Sequence, residues 1–239
     1  MTYKASIVGI DGSGKSACSY LILKNLSQNF NTGIMSRIGY VSHNQNIKKL
    51  FSRSTIFLDT IQGITDSLET RIGIAMINSI DATFFWPFKE IIMKKYNLDI
   101  LLYPRDKILD PAVYMTYYLP LTKKINHENR LKISKLLNPN HHPDILFYLD
   151  LPVELAYEII LKRINDDEKS KKLDRPKLKP HMHENIKDMK ILQNYFLESI
   201  EFLKKEGMKI CNIDATRDKD LVSEDISNVI RKELKNISN

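Results

Sequence analysis

The chain has 239 residues and a mass of 27.8 kDa, with 43% apolar and 27% charged residues, so it can bury a sizeable core and is not a collagen, a coiled coil or a wholly disordered chain. Lys+Arg 36 against Asp+Glu 29 leaves +7, which favours anionic partners without choosing among nucleotides, phosphorylated metabolites, nucleic acid and an anionic membrane surface. Cys18 and Cys211 lie far apart with no C-x-x-C spacing, and no apolar run reaches the ~18 residues of a membrane span. Neither a disulfide framework nor an integral membrane protein is indicated, and a reducing cytosol is the simplest home.

The first element is a short apolar run, Ala5 to Ile10, that reads as a buried strand. The chain holds only 8 glycines, yet Gly9, Gly12 and Gly14 fall within six residues at the end of that run. The run Gly9-Ile10-Asp11-Gly12-Ser13-Gly14-Lys15-Ser16 fits G-x-x-x-x-G-K-[ST] in full, a pattern expected by chance in about one chain in a hundred of this length. Ser16 to Asn29 follows as a helix, with Cys18, Ile22 and Leu26 on one face. Strand, glycine loop and helix start thus occur in the order that a phosphate loop requires. Glycines let the backbone approach a ligand, amides converge on phosphate oxygens, and the helix end adds about half a positive charge. In that setting Lys15 neutralises β- and γ-phosphates and Ser16 ligates Mg²⁺. The competing reading is an ordinary strand-to-helix turn capped by Ser13 or Ser16.

Further strands are predicted at Gly33 to Ser36, Ile100 to Tyr103, Ile145 to Leu149 and Lys209 to Ile213. Helical segments lie between them at Leu68 to Tyr96, with a break at Pro87, at Val153 to Ile164 and at Glu184 to Glu206. This alternation predicts a three-layer α/β fold of the P-loop NTPase type: a central parallel sheet of about five strands with helices on both faces and ligands at the carboxyl ends of the strands. No repeat or Gly/Ser-rich linker divides the chain, so residues 1–239 are expected to form one domain. Asn165 to Pro180 is almost wholly charged and closed by prolines; it reads either as a solvated loop or as a lid that brings cations to a phosphate chain.

Several other features carry less. His141-His142 and His181-Met182-His183 have no partners at zinc spacing and read as solvated loop histidines. Tyr114, Tyr117 and Tyr118 share a helix face, where core packing competes with stacking on a planar base; Phe84 poses the same choice. Arg231 to Lys235 reads as a solvated helix end, and no nucleic-acid-binding motif accompanies it.

Taken together, the phosphate loop, the segment Pro143 to Pro152, Leu173-Asp174-Arg175 and Ile213-Asp214-Ala215-Thr216 resemble thymidylate kinase and, more broadly, the nucleoside monophosphate kinases. The resemblance implies transfer of the ATP γ-phosphoryl group to a nucleoside monophosphate, dTMP first, with Mg²⁺, in a cytoplasmic homodimer that engages neither nucleic acid nor membrane. It also implies roles. Gly12, Ser13, Gly14, Lys15, Ser16 and Ala17 would hold the donor phosphates, and Ala215 would border adenine. Asp11 would contact the acceptor sugar, Arg37 and Arg105 its phosphate, and Phe84 and Tyr114 its base. Arg163 and Arg175, from a lid at about 163–183, would join Lys15 and Arg105 in catalysis. Pro104 stands where the family has an aspartate that holds the metal, leaving Asp106 or Asp150 to support it beside Ser16; the family's base-reading arginine is also missing from Ile80 to Trp86. A kinase of another nucleoside or small acceptor, or a nucleotide-binding regulator without acceptor chemistry, therefore remains open.

Overall fold

The computed structural model describes residues 2–35, 40–42, 97–118, 120–139, 141–169 and 184–238. In chain order these form β1 (Tyr3–Val8), α1 (Lys15–Leu26), β2 (Thr32–Met35), β3 (Tyr40–Ser42), β4 (Ile100–Tyr103), α2 (Leu109–Tyr118) and a 3₁₀ turn (Pro120–Lys124). The chain continues through α3 (His127–Leu137), β5 (Ile145–Asp150), α4 (Val153–Lys169), α5 (Ile186–Lys205), β6 (Ile210–Asp214) and α6 (Lys219–Ser238).

The strands make one sheet in the order β3-β2-β4-β1-β5-β6. Five are parallel, as the alternation predicts, and β3 adds an antiparallel edge on β2. β3 spans three residues, too short for any periodicity to announce it. β1 is central, with Ala5 level with Leu102 on one side and Ile145 on the other. Burial on both faces explains why β4 reads as the unbroken apolar run Ile-Leu-Leu-Tyr, whereas β6, at the edge, alternates and buries only Ile213.

The two faces carry separate cores. Ile7, Ile100 and Phe147 pack against Ile22 and Leu26 of α1 and Ile226 and Ile230 of α6. On the other face, Val8, Leu146 and Tyr148 meet Val113 of α2, Ile160 of α4 and Phe196 of α5. Alternation of sheet-facing residues along each strand makes both layers obligatory.

Two differences from the sequence reading have plain causes. α4 continues to Lys169 rather than stopping near Ile164, because a run of Asp, Glu and Lys carries no apolar period to read although Glu and Lys favour helix. His141 is not a solvated loop histidine: it is 2% exposed, with its ring edge-on to Tyr103. The predicted helix at Leu68 to Tyr96, most of the charged segment, His181 and His183 lie outside the described residues, as do the site candidates Arg37, Phe84 and Arg175.

Arg130 fixes the position of α2. Its guanidinium donates to Ala112 O at 3.2 Å and to Ile125 O at 2.8 Å, and it lies 4.6 Å above the ring of Tyr195 from α5. His127 bridges Arg130 and the Ser199 hydroxyl, and burial beside that cation pushes its imidazole down to about 4. The helix that supplies Tyr114 is thereby tied to both of its neighbours.

Candidate active site

Three loops at the carboxyl ends of β1, β4 and β6 converge on the start of α1. The loop after β1 takes the shape of a phosphate cradle because Gly12 and Gly14 both adopt left-handed backbone, at φ 87° and 86°. Gly12 has a second reason: a Cβ there would collide with the carbonyl oxygen of Ala156 in α4. α1 then begins at Lys15 with Gly14 as its cap residue, no side chain bonded to its first amides and no acid in its first turn. The positive end of the helix thus meets no side-chain acceptor of its own, which is the distinction from an ordinary capped turn.

Lys15 is buried, and its ammonium donates to Gly9 O at 2.8 Å and Ile10 O at 2.9 Å, with Asp11 at 3.6 Å. Burial pulls its pKa down, and the Asp11 carboxylate pulls it back up. Ser13 is buried with an unpartnered hydroxyl, while Ser16 and Ala17 are exposed in the first turn of α1. Behind the loop lies a cavity of about 250 Å³, walled by Gly12 to Gly14, by Leu155 and Ile159 of α4, and by Ala215. That volume lies below the ~300 Å³ at which drug-sized clefts begin, and its apolar walls suit one flat heteroaromatic ring system. Gly12, Ser13 and Gly14 of the loop and Ala215 after β6 thus line one cavity.

In front of the loop, Asp11 is shared by two residues from the β4 side. Arg105 approaches its Oδ1 at 3.1 Å, and the Tyr114 hydroxyl donates to Oδ2 at 3.1 Å. The Arg105 guanidinium is also 6.0 Å from the Tyr114 ring centroid, at the outer limit of a cation–π contact. Asp11, Arg105 and Tyr114, three of the predicted acceptor residues, therefore form one cluster. Arg163 stands apart from it: on α4, 56% exposed, it pairs with the buried Glu184 at 3.1 Å.

Asp106 is held differently from a metal ligand. Its Oδ1 caps the start of α2 by accepting from the amides of Ile108 and Leu109 at 2.9 and 2.8 Å. Its Oδ2 accepts from the Ser6 hydroxyl at 2.8 Å and meets His141 Nε2 at 2.7 Å. Although burial opposes it, the His141 pairing and these donors hold its pKa down at about 2. Both oxygens are committed to protein groups, which leaves Ser16 as the fitting metal ligand of the predicted pair. Among the described residues no group of three His, Cys, Asp or Glu side chains could cage a metal. Mg²⁺ in phosphoryl transfer is held by one or two protein oxygens together with substrate phosphates, and the exposed Ser16 hydroxyl beside an uncapped helix start suits that arrangement.

One residue escaped the sequence reading. Asp110, in the first turn of α2, is 6% exposed, and neither carboxylate oxygen has a hydrogen-bond partner. Burial pushes its pKa up to about 6, against the pull of Arg105 and Lys15 and with the push of Asp106 and Asp11. Its spacing of four from Tyr114, which places both on one face of α2, was the signal available in the sequence.

In overall structure the chain is similar to the deoxyadenosine kinase from M. mycoides, solved with the products dCMP and a flexible dCDP bound and, separately, with dATP bound. Both matches have a TM-score of 0.56 at 17% sequence identity, and both cover 96% of this chain and 99% of the other. The fold is the P-loop NTPase α/β fold. No protein-family model and no curated protein sequence matches the chain.

Proposed function

We propose that the chain is an ATP-dependent phosphotransferase whose acceptor is a nucleoside or a nucleoside monophosphate. The observation that carries this reading is that one loop, Gly9 to Lys15, lines a base-sized cavity with Gly12 to Gly14 and joins the Arg105–Tyr114 cluster through Asp11, which lies 3.6 Å from Lys15. The donor base lies against Ala215 and Ile159. Its polyphosphate follows the loop amides past Ser13 to the head of α1, where Lys15, Ser16 and the Ala17 end of the helix meet the terminal phosphates. Mg²⁺ bound there, with the Ser16 hydroxyl as its protein oxygen, supplies neutralisation of phosphate charge.

On this reading the protein does little covalent chemistry. Lys15 and the loop dipoles stabilise charge on the transferring group, while Asp11 and Tyr114 orient the acceptor sugar and Arg105 its reacting end. Arg163 and Arg175 act as the lid cations, and Arg37 and Phe84 complete the acceptor side. The likeness in fold to a deoxyadenosine kinase supports a deoxynucleoside as acceptor. A monophosphate, dTMP first, is the second reading; it is favoured by the Arg105 guanidinium in front of the loop, a group suited to a phosphate. One domain spanning 1–239, a homodimer and a cytoplasmic setting belong to the same proposal.

The test is ADP release from ATP and Mg²⁺ in the presence of a panel of deoxynucleosides and their monophosphates. Acceptor-dependent turnover that Lys15→Ala abolishes supports the reading. ATP binding without turnover on any acceptor contradicts it and identifies a nucleotide-binding regulator instead.

A further inference from the structure

The chain between β6 and α6 brings two cations to the wall of the cavity assigned to the donor base, Arg217 and Lys219. They differ in what they already hold. Arg217 donates to Asp225 at 2.7 Å and to Asp214 O at 3.4 Å, so its guanidinium is committed to its own loop and helix. Lys219 is exposed, and its ammonium makes no ion pair or hydrogen bond among the described residues. Asp218, whose Oδ1 accepts from the Asp220 amide at 2.8 Å, does not pair with it, nor does Glu158 of the cavity wall. The stem of Lys219 lies beside the phosphate loop: its Cε is 3.9 Å from the place of a Cβ on Gly14, the residue directly before Lys15. A lysine there runs against the helix dipole, because Lys219 opens α6, where the positive end of a helix favours an acid. α6 also runs alongside α1 in the same direction, since one turn beyond Gly14 and Lys219 the Ser223 Oγ is 3.4 Å from Cys18 Sγ. Two helix starts and one ammonium therefore share the rim of the cavity, and an anion at that rim relieves their mutual repulsion.

We infer that Lys219 is a further donor-binding residue, whose ammonium holds the α-phosphate of the nucleotide. This rests on the phosphotransferase reading above, which puts the donor base in the cavity and the terminal phosphates at Lys15. Lys219 belongs to the cavity wall and lies beside Gly14, so it stands between the base and Lys15. The phosphate between a base and the terminal pair is the α-phosphate. No bond to its phosphorus is made or broken in the transfer, and the charge that develops falls on the γ-group and on the oxygen bridging it to the β-phosphorus. Lys219 therefore holds the ground state and the transition state alike, which lowers the donor KM without raising kcat.

The experiment compares wild type with Lys219→Met, which keeps an apolar stem and removes the charge, and with Lys219→Arg, which restores the charge. The side chain is exposed, so neither change touches a core. Each protein is titrated calorimetrically, in Mg²⁺, with ATP, ADP and pyrophosphate, and steady-state kinetics follow with ATP varied. Lys219→Met should weaken ATP and ADP about tenfold each, the lower end for a hydrogen bond to a charged group, and pyrophosphate by less than about twofold. Its kcat should stay within about threefold of wild type while the ATP KM rises, and Lys219→Arg should bind ATP within about threefold of wild type. Four results would each overturn the assignment of Lys219 and leave the kinase reading standing. They are an unchanged ATP affinity in Lys219→Met, a loss for ATP that ADP does not share, a loss for pyrophosphate as large as that for ATP, and a fall in kcat at unchanged ATP KM. No binding of ATP by wild type would remove the kinase reading and the inference together.

Discussion

The hydroxyl of Tyr114 donates to Asp11 Oδ2 at 3.1 Å across 103 residues of sequence, joining α2 to the phosphate loop. The same carboxylate receives Arg105 on its other oxygen, so the phenol and the guanidinium set the orientation of Asp11 between them. A hydrogen bond to a charged group contributes about 1.5–3 kcal/mol, and roughly the lower value applies at this half-open site. Tyr114→Phe should therefore raise the acceptor KM about tenfold. The ATP KM should stay unchanged, because neither Tyr114 nor Asp11 lines the cavity assigned to the donor. Steady-state kinetics with each substrate varied in turn checks the split; equal shifts in both constants would place Tyr114 outside the acceptor side.

Gly12 and Gly14 share the same left-handed backbone but not the same surroundings. At Gly14 the nearest atom to an added Cβ is Lys219 Cε at 3.9 Å, so Gly14→Ala costs only the strain of an unfavourable φ, about 1 kcal/mol. At Gly12 the added methyl meets the backbone carbonyl of Ala156, and α4 must move to admit it. Gly12→Ala should cost about 2–3 kcal/mol more and weaken ATP binding through the displaced wall at Leu155 and Ile159. Chemical denaturation of the two variants side by side measures the gap, and equal midpoints would refute it.

Asp110 gives a pH dependence of unusual sign for a carboxylate. Its folded-state pKa of about 6 lies above the ordinary 3.8, so the fold favours the protonated form. That contribution is complete below about pH 4 and is lost as pH rises through about 6. At pH 8 ionisation costs roughly 3 kcal/mol, and Asp110→Asn removes that cost. The variant should melt several degrees above wild type at pH 8, about 2–4 °C for each kcal/mol, and close to it at pH 4. Lower melting at both pH values would show that the carboxylate stabilises the fold, contrary to its lack of partners.

Asp106 has the opposite sign. Its folded-state pKa of about 2 lies below the ordinary value, so its contribution is present above about pH 4 and fades as pH falls toward 2. Asp106→Ala strands the Ser6 hydroxyl, His141 and two helix amides together, and should cost about 3–5 kcal/mol near neutral pH. Urea titrations at neutral and acidic pH would check this; a loss below 1 kcal/mol would mean that water replaces the carboxylate readily.

Most of the sheet was legible in the sequence because strands buried on both faces leave continuous apolar runs, as at Ile100 to Tyr103 and Ile145 to Leu149. The phosphate loop was legible because its glycines answer to backbone geometry, which leaves a fixed spacing. Asp106, His141 and Asp110 were not: burial of a polar side chain is decided by elements distant in sequence, and only folding brings Ser6 and His141 to Asp106. The expected metal role of Asp106 gives way for the same reason, since four protein donors had already taken its oxygens.

Calorimetric titration of the protein with ATP and Mg²⁺, in parallel with the Lys15→Ala variant, reaches the central claim most directly. Saturable binding at a single site in wild type, weakened by at least about 100-fold in the variant, is the predicted result. No heat in wild type, or equal affinity in both proteins, would contradict the assignment of the loop after β1 as a polyphosphate cradle.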